Sequence, residues 1–171
     1  MMLITPEYRE LNRKLHATNP VYGVSGFRYV DAARRLSQWG RLDILDYGCG
    51  KAVLAEKLGP AYRVTNYDPC IEGLDTPPEP HDVVMCTDVM EHVEPEFIMP
   101  VLKDIRRLTR EFAFFVVSTE PAQKVLEDGR NAHISLHPPK WWLERMEEAG
   151  FEVLETIDDD GKHLTFGAVL R

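Results

Sequence analysis

A chain of 171 residues is long enough for one domain with a core of ordinary size, and its charged (28%) and apolar (44%) fractions are those of a globular protein. Lys and Arg number 20 against 28 Asp and Glu, a formal net charge of −8, which argues against a large nucleic-acid footprint while leaving room for a local basic groove. No run of about 18 apolar residues occurs, so no membrane span is expected, and the first ten residues carry charges early without an apolar stretch, so no signal peptide is expected.

Taken in order, Thr5-Pro6-Glu7 opens a helix: a hydroxyl cap, a proline in the first turn and an acid near the positive end of the dipole. That helix is predicted to reach about His16, and Thr18 to Gly26 then forms a loop. Ser25 caps a second helix from about Gly26 to Gln38, with Phe27, Val30, Ala33 and Leu36 at helical spacing, and Gly40 ends it. A first strand is predicted over about Leu42 to Tyr47, followed by the turn Gly48-Cys49-Gly50 and a helix over 51–58 that stops at Gly59-Pro60. Tyr62 to Asp68 reads as a second strand ending in an acid. The stretch Pro69 to Pro80, rich in proline and acids, has room for a turn of helix and a stub of strand near Ile71 to Leu74. Asp82 to Asp88 is a third apolar run ending in an acid. A helix from Glu94 to about Thr109 contains Pro100, which should kink it or sit in its first turns. Phe112 to Ser118 has the composition of a central parallel strand. A helix from Pro138 to Gly150 precedes two strands, Phe151 to Ile157 and His163 to Leu170, joined by Asp159-Asp160-Gly161 as a hairpin turn.

The expected fold class is therefore α/β, a Rossmann-like three-layer sandwich with a mostly parallel sheet, a C-terminal antiparallel hairpin and a reduced third strand. It forms a single domain, with residues 1–40 as a helical cap on a core of 41–171. Cys49, Cys70 and Cys86 are odd in number and lie in or beside strands, with no CxxC pair. Reduced, buried thiols in a cytoplasmic protein are expected, with no structural zinc.

The chain is organised around Asp43 to Lys51. An apolar run ending in Asp46 leads directly into Gly48-Cys49-Gly50 and a helix, the first unit of a nucleotide-binding sheet. Glycines allow the sharp turn and let a ligand lie against bare main chain, and the helix start is expected to offer unpaired N–H groups there. A dinucleotide dehydrogenase wants Gly-x-Gly-x-x-Gly; the third glycine position is Val53, so an NAD-type oxidoreductase is a lesser alternative.

These residues resemble the class I S-adenosylmethionine-dependent methyltransferases, in their small single-domain branch. Leu45-Asp46-Tyr47-Gly48-Cys49-Gly50 is similar to the family's glycine-rich cofactor motif. Asp68, 22 residues after Asp46, stands where the family has the acid for the ribose hydroxyls. Asp82-Val83-Val84 through Asp88-Val89-Met90-Glu91-His92-Val93 resembles its D-x-V…L-E-H-V segment. His133, Pro139, Leu143 and Ala149-Gly150-Phe151 resemble its later H…P…L…A-G-F segment. The likeness spans about residues 42 to 170. It implies a methyltransferase acting on an oxygen or nitrogen of a small-to-medium acceptor, with S-adenosylmethionine held by Asp46, Gly48, Gly50, Asp68, Asp88 and Tyr22. A non-catalytic protein that binds S-adenosylmethionine is the other alternative. The family has a full helix and third strand where this chain has only Pro69 to His81, so Asp75 and Thr76 are candidates for the adenine side.

The acceptor is expected across the rim. Glu91, His92 and His133 are the candidate catalytic residues, with His133 as a general base for a hydroxyl or amine. Asp88, Glu91, His92 and His133 together offer oxygen and nitrogen ligands for a divalent cation, and some relatives of this family bind a cation through an E-x-x-E-H segment. Arg130 is a candidate for an anionic acceptor group, Trp141 and Trp142 for the acceptor pocket, and Asn19 to Gly26 for a lid. His137 is a weaker candidate, whereas His16, His81 and His163 have no partner in sequence and are expected to be surface or core residues.

Overall fold

The computed structural model describes residues 2–37, 43–158 and 161–171. Helix α1, Pro6–Thr18, starts at Thr5, whose hydroxyl accepts the Tyr8 N–H. A 3-10 turn, Ser25–Tyr29, runs into α2, Val30–Ser37. Then come β1 Asp43–Tyr47, α3 Val53–Leu58, β2 Arg63–Tyr67 and β3 His81–Thr87. Two 3-10 turns, Met90–His92 and Pro95–Phe97, lead into α4 Ile98–Leu108 and β4 Thr109–Ser118. The chain closes with α5 Pro139–Glu148, β5 Phe151–Asp158 and β6 His163–Leu170.

The six strands form one sheet in the order β2-β1-β3-β4-β6-β5. The first four are parallel, and β6 runs antiparallel to both β4 and β5. Strand alternation sorts the core into two layers. Leu45, Val84, Cys86, Phe115 and Val117 face α4 and α5, where Leu102, Ile105, Trp142 and Met146 are buried. Ile44, Val83 and Met85 face Val30, Ala33 and Leu54 on the other side. Both faces of β3 are covered, which is why its sequence is a continuous apolar run rather than an alternation.

Several expectations are corrected. The stub of strand expected near Ile71 to Leu74 does not form: residues 69–74 are turns, with Asp68 N–H donating to the Leu74 carbonyl and Leu74 N–H to that of Ile71, and residues 75–80 add no strand. The prolines at 77, 78 and 80 cannot donate to a ladder, and β2 is left as a sheet edge. Helix α3 is shorter than 51–58 and is entered through Ala52 in the left-handed region (φ 56°). Pro100 does sit in the first turn of its helix, as one of the two expected outcomes, where no intrahelical donor is lost; α4 begins at Ile98 rather than Glu94. Phe27, placed by periodicity on a buried face, is 53% exposed, because Ser25–Tyr29 winds as a 3-10 turn and shifts its register. The expected positions of Gln38, Gly40, Leu42, Asp159 and Asp160 lie outside the described residues. The three cysteines are buried free thiols, and no described helix is long and apolar enough to cross a membrane.

Candidate active site

Parallel pairing puts the C-terminal ends of β1, β2, β3 and β4 on one rim. Antiparallel β6 starts at the same rim, since His163 pairs with Ser118. The chain crosses from β2 on one side of β1 to β3 on the other, so the crevice opens between the ends of β1 and β3. A cavity of about 490 Å³ lies there.

At one end of it stand the glycine loop and two acids. Gly48 and Gly50 have φ of 76° and 53°, which side chains rarely adopt. A Cβ on Gly50 would fall on the Gly23 carbonyl of the N-terminal segment. Asp46 is buried, and burial, helped by the neighbouring charge of Asp68, pushes its carboxyl up to about 7. Asp68 accepts the Gly50 N–H at 3.1 Å and the Cys70 N–H at 2.9 Å.

The glycine loop was expected to present unpaired donors. Its donors are instead used internally: Gly48 and Cys49 donate to the Tyr67 carbonyl, Gly50 to Asp68, Lys51 to Gly23 and Ala52 to Cys49. The start of α3 does not reach the cavity either: Gly48, Cys49 and Gly50 line it, whereas Lys51, Ala52 and Val53 do not. What the loop supplies is close backbone approach, with its donors committed to holding the rim acids and the cap.

The other end is built from distant segments. Asp88 follows β3 in the left-handed region (φ 56°), and both its carboxylate oxygens accept from the Tyr29 hydroxyl at 2.9 Å. Glu91 is fully buried. Its Oε1 accepts the Ser118 N–H at 3.1 Å, while Oε2 has no partner. Burial, with the charge of Asp88, pushes its carboxyl up to about 8. The His92 Nδ1 lies 2.8 Å from the Ala132 carbonyl, and the His133 Nδ1 2.6 Å from the Glu120 carbonyl. A carbonyl only accepts, so each ring carries its proton on Nδ1 and leaves the Nε2 lone pair open. The two rings meet edge to face at 4.7 Å. Burial pushes His92 down to about 3 and lowers His133 as well, so both are neutral near pH 7.

All the expected site residues, Asp46, Gly48, Gly50, Asp68, Asp88, Tyr22, Glu91, His92 and His133, line this one cavity. Other candidates do not. Arg130 pairs with Asp128 and lies over the Tyr8 ring. His137 stacks on Trp141, and Trp142 is core. None of the four lines the cavity. Asp75 turns to Arg9, and from the shortened segment only Pro69 and Cys70 reach the cavity, so Asp75 and Thr76 do not form its wall. Among the candidate cation ligands, Glu91, His92 and His133 come together, whereas Asp88 lies outside that group.

Sequence reasoning missed four contributors. His16 packs on Tyr22 with its Nε2 4.0 Å from Asp68, and His163 reaches the rim at the start of β6. Lys51 Nζ donates to the carbonyls of His16, Asn19 and Tyr22, which clamps the cap on the glycine loop. Tyr29 reaches across to Asp88. Only Lys51 carried a signal, its position directly after the glycine turn; the others depend on how the cap docks. That docking rests on Thr5, whose N–H and hydroxyl both donate to Glu94, and on the Tyr8 hydroxyl, which donates to the His92 carbonyl.

A parallel α/β sheet with paired acids and a glycine turn at its switch point defines a protein that binds a nucleoside-type cofactor at the strand ends. Residues 26–156 match the methyltransferase domain family. The chain belongs to it, as one of the class I S-adenosylmethionine-dependent methyltransferases, and the NAD-type alternative is set aside. Solved structures agree in fold. The 1,6-didemethyltoxoflavin-N1-methyltransferase of Burkholderia thailandensis, with S-adenosylhomocysteine bound, is 16% identical, covers 99% of this chain and 92% of its own, and gives a TM-score of 0.71. The magnesium protoporphyrin IX methyltransferase of Synechocystis, with S-adenosylmethionine bound, is 14% identical over 98% and 99%, with a TM-score of 0.69. The N-methyltransferase NodS of Bradyrhizobium japonicum is 15% identical over 97% and 99%, with a TM-score of 0.65. No curated protein matches the chain in sequence.

Proposed function

We propose that this single methyltransferase domain, a cap of residues 1–40 on a core of 41–171, moves the methyl group of S-adenosylmethionine to an oxygen or nitrogen of a small acceptor. The observation that carries this reading is the one cavity with two unlike ends: Asp46, Asp68 and the glycine loop at one, and the open lone pairs of His92 and His133 at the other. Asp68 takes the ribose hydroxyls and Asp46 the cofactor's amino group. Gly48 and Gly50 admit the methionine tail, with Tyr22 and Asp88 closing over it. Structural neighbours with cofactor or its product bound include a methyltransferase named for a ring nitrogen, and another is named for an oxygen, which supports a small-molecule acceptor of either kind.

S-adenosylmethionine held there would supply an electrophilic methyl group to a lone pair of the acceptor, with the carbon–sulfur electron pair staying on the departing neutral thioether. The acceptor's proton passes to the His133 Nε2, which burial keeps neutral and available. Most of the acceleration comes from holding nucleophile, methyl and sulfur in line.

A methyl-labelled cofactor assay over a panel of phenols, enols, carboxylates and ring amines tests this. Cofactor-dependent labelling of an acceptor is expected, with S-adenosylhomocysteine as co-product. Tight cofactor binding with no transfer to any acceptor would favour a non-catalytic binding protein instead.

A further inference from the structure

Among the described residues, three lysine or arginine side chains line the cavity: Arg28, Lys124 and Lys162. Lys162 lies 3.8 Å from Glu120. Arg28 is exposed on the cap, with its guanidinium over the Phe27 ring, and solvent serves it. Lys124 differs from both. It is half-buried, and among the described residues its ammonium meets neither a carboxylate nor a hydrogen-bond acceptor. Other charges of the same loop are paired, Glu127 with Lys14 and Arg130 with Asp128. An ammonium stripped of part of its hydration without a partner is costly, so its retention points to an anion that arrives from outside. The loop fixes where that anion would sit. The Ala132 N–H donates to the Lys124 carbonyl at 3.0 Å, and Val125 bridges Asn131. The Ala132 carbonyl accepts from His92, and His133 is the next residue. Lys124 thus stands beside both imidazoles, and its charge contributes to holding both neutral.

We infer that the acceptor is an organic acid with a flat apolar body, and that Lys124 selects it by holding its carboxylate beside His133. The acids at that end of the cavity are otherwise engaged. Asp88 accepts from Tyr29, Glu120 faces Lys162, and burial keeps the Glu91 carboxyl largely protonated near pH 7. The apolar body has surface to meet, since Val21 and Phe27 line the cavity from the cap while 62% and 53% exposed. A single ammonium matches a monoanion, whereas a phosphate is better met by the forked donors of arginine. Arg130, the arginine of this loop, does not line the cavity. The inference rests on the methyl-transfer reading for what happens to the acid, not for its binding. An oxygen whose charge is held by an ammonium is a weak nucleophile. The carboxylate therefore keeps its charge, and the methyl group goes to a neighbouring hydroxyl or amine whose proton His133 takes.

The test is calorimetric titration of the full chain, saturated with S-adenosylhomocysteine, with ortho-, meta- and para-hydroxybenzoate and with the matching amides. At least one acid should bind ~10-fold or more tightly than its amide, the value of a charge-assisted hydrogen bond. Lys124→Met should erase that difference by weakening the acid alone, and Lys124→Arg should keep it to within about threefold. In both variants the affinity for S-adenosylhomocysteine should stay within about twofold, which also shows that they fold. The inference is overturned if no acid binds, if acids and amides bind alike, or if the preference survives Lys124→Met. It is equally overturned if S-adenosylhomocysteine affinity falls in Lys124→Met, because the lysine then serves the cofactor's own carboxylate. No transfer is read in this experiment, so the two readings fail separately: a chain that binds S-adenosylhomocysteine and the acid but methylates nothing refutes catalysis and leaves the acid site standing.

Discussion

The two ends of the cavity are made in opposite ways. At the end proposed for the cofactor, Asp46, Gly48, Gly50 and Asp68 sit at or just beyond neighbouring strand ends, and their positions follow from the backbone of one β-turn-α unit and the next strand. At the end proposed for the acceptor, Glu91, His92 and His133 come from two loops, fixed by contacts to Ser118, Ala132 and Glu120 and by the docked N-terminal helix. The first end takes its shape mainly from local backbone geometry, with the cap packed on it through Gly23 and the Lys51 hydrogen bonds. The second is held by side chains and long-range contacts, which makes it the part that can differ between acceptors.

The largest expected effect breaks the first end. Gly50→Ala imposes a side chain on a positive φ and drives it into the Gly23 carbonyl, so the cap must lift. Backbone strain of about 1–3 kcal/mol, with lost closure added, should weaken S-adenosylhomocysteine binding ~100-fold or more, as read by calorimetry. Next is Asp68→Asn. It removes the charge from hydrogen bonds worth about 1.5–3 kcal/mol, so a fall in cofactor affinity of ~10- to 100-fold is expected, with the fold intact by circular dichroism.

A third prediction sharpens the contrast. His133→Ala should lower kcat by ~100-fold while leaving the dissociation constant of S-adenosylhomocysteine within about twofold, because the two ends bind different things. A parallel loss of cofactor affinity would merge them.

The fourth concerns pH. The folded Asp46 carboxyl, near 7, stands above its unfolded value of 3.8. The buried charge is therefore disfavoured, and its contribution to stability falls as pH rises from about 4 to 7. A cationic amino group on the cofactor favours the ionised form, so affinity should rise from pH 6 to pH 8. Asp46→Asn should flatten that rise, weaken binding and yet raise the melting temperature at pH 8 by a few degrees, the trade expected of a buried charge kept for function.

The smallest effect belongs to the clamp. Lys51→Met removes three hydrogen bonds to cap carbonyls that are partly solvent-exposed. Cofactor affinity should drop only a few-fold, about 1 kcal/mol, with faster proteolysis within residues 19–24.

These differences also explain what could be read from the sequence. Strand-end acids after apolar runs and a glycine turn are local patterns, so the meeting of Asp46, Gly48, Gly50 and Asp68 at one cavity was legible, as were the parallel core and the final hairpin. The loss of the third strand was foreseen only as a shortening; three prolines turn the segment into loop. Glu91, His92 and His133 could be named as neighbours of the rim, but their grouping without Asp88 depends on Tyr29, whose reach no spacing encodes. His16 was placed with surface or core histidines because its partner, Asp68, is 52 residues away in sequence and reached only by docking of the cap. Phe27 was misplaced because a periodicity argument assumes 3.6 residues per turn, and the segment is wound tighter.

The central claim is that Asp68 and the glycine loop hold a methyl-donor nucleoside rather than a dinucleotide. The most direct measurement is calorimetric titration of the full chain with S-adenosylhomocysteine and, separately, with NAD. One molecule of S-adenosylhomocysteine should bind per chain, with loss of that binding in Asp68→Ala and no saturable heat from NAD. Binding of NAD alone, or S-adenosylhomocysteine binding that Asp68→Ala leaves unchanged, would contradict the account.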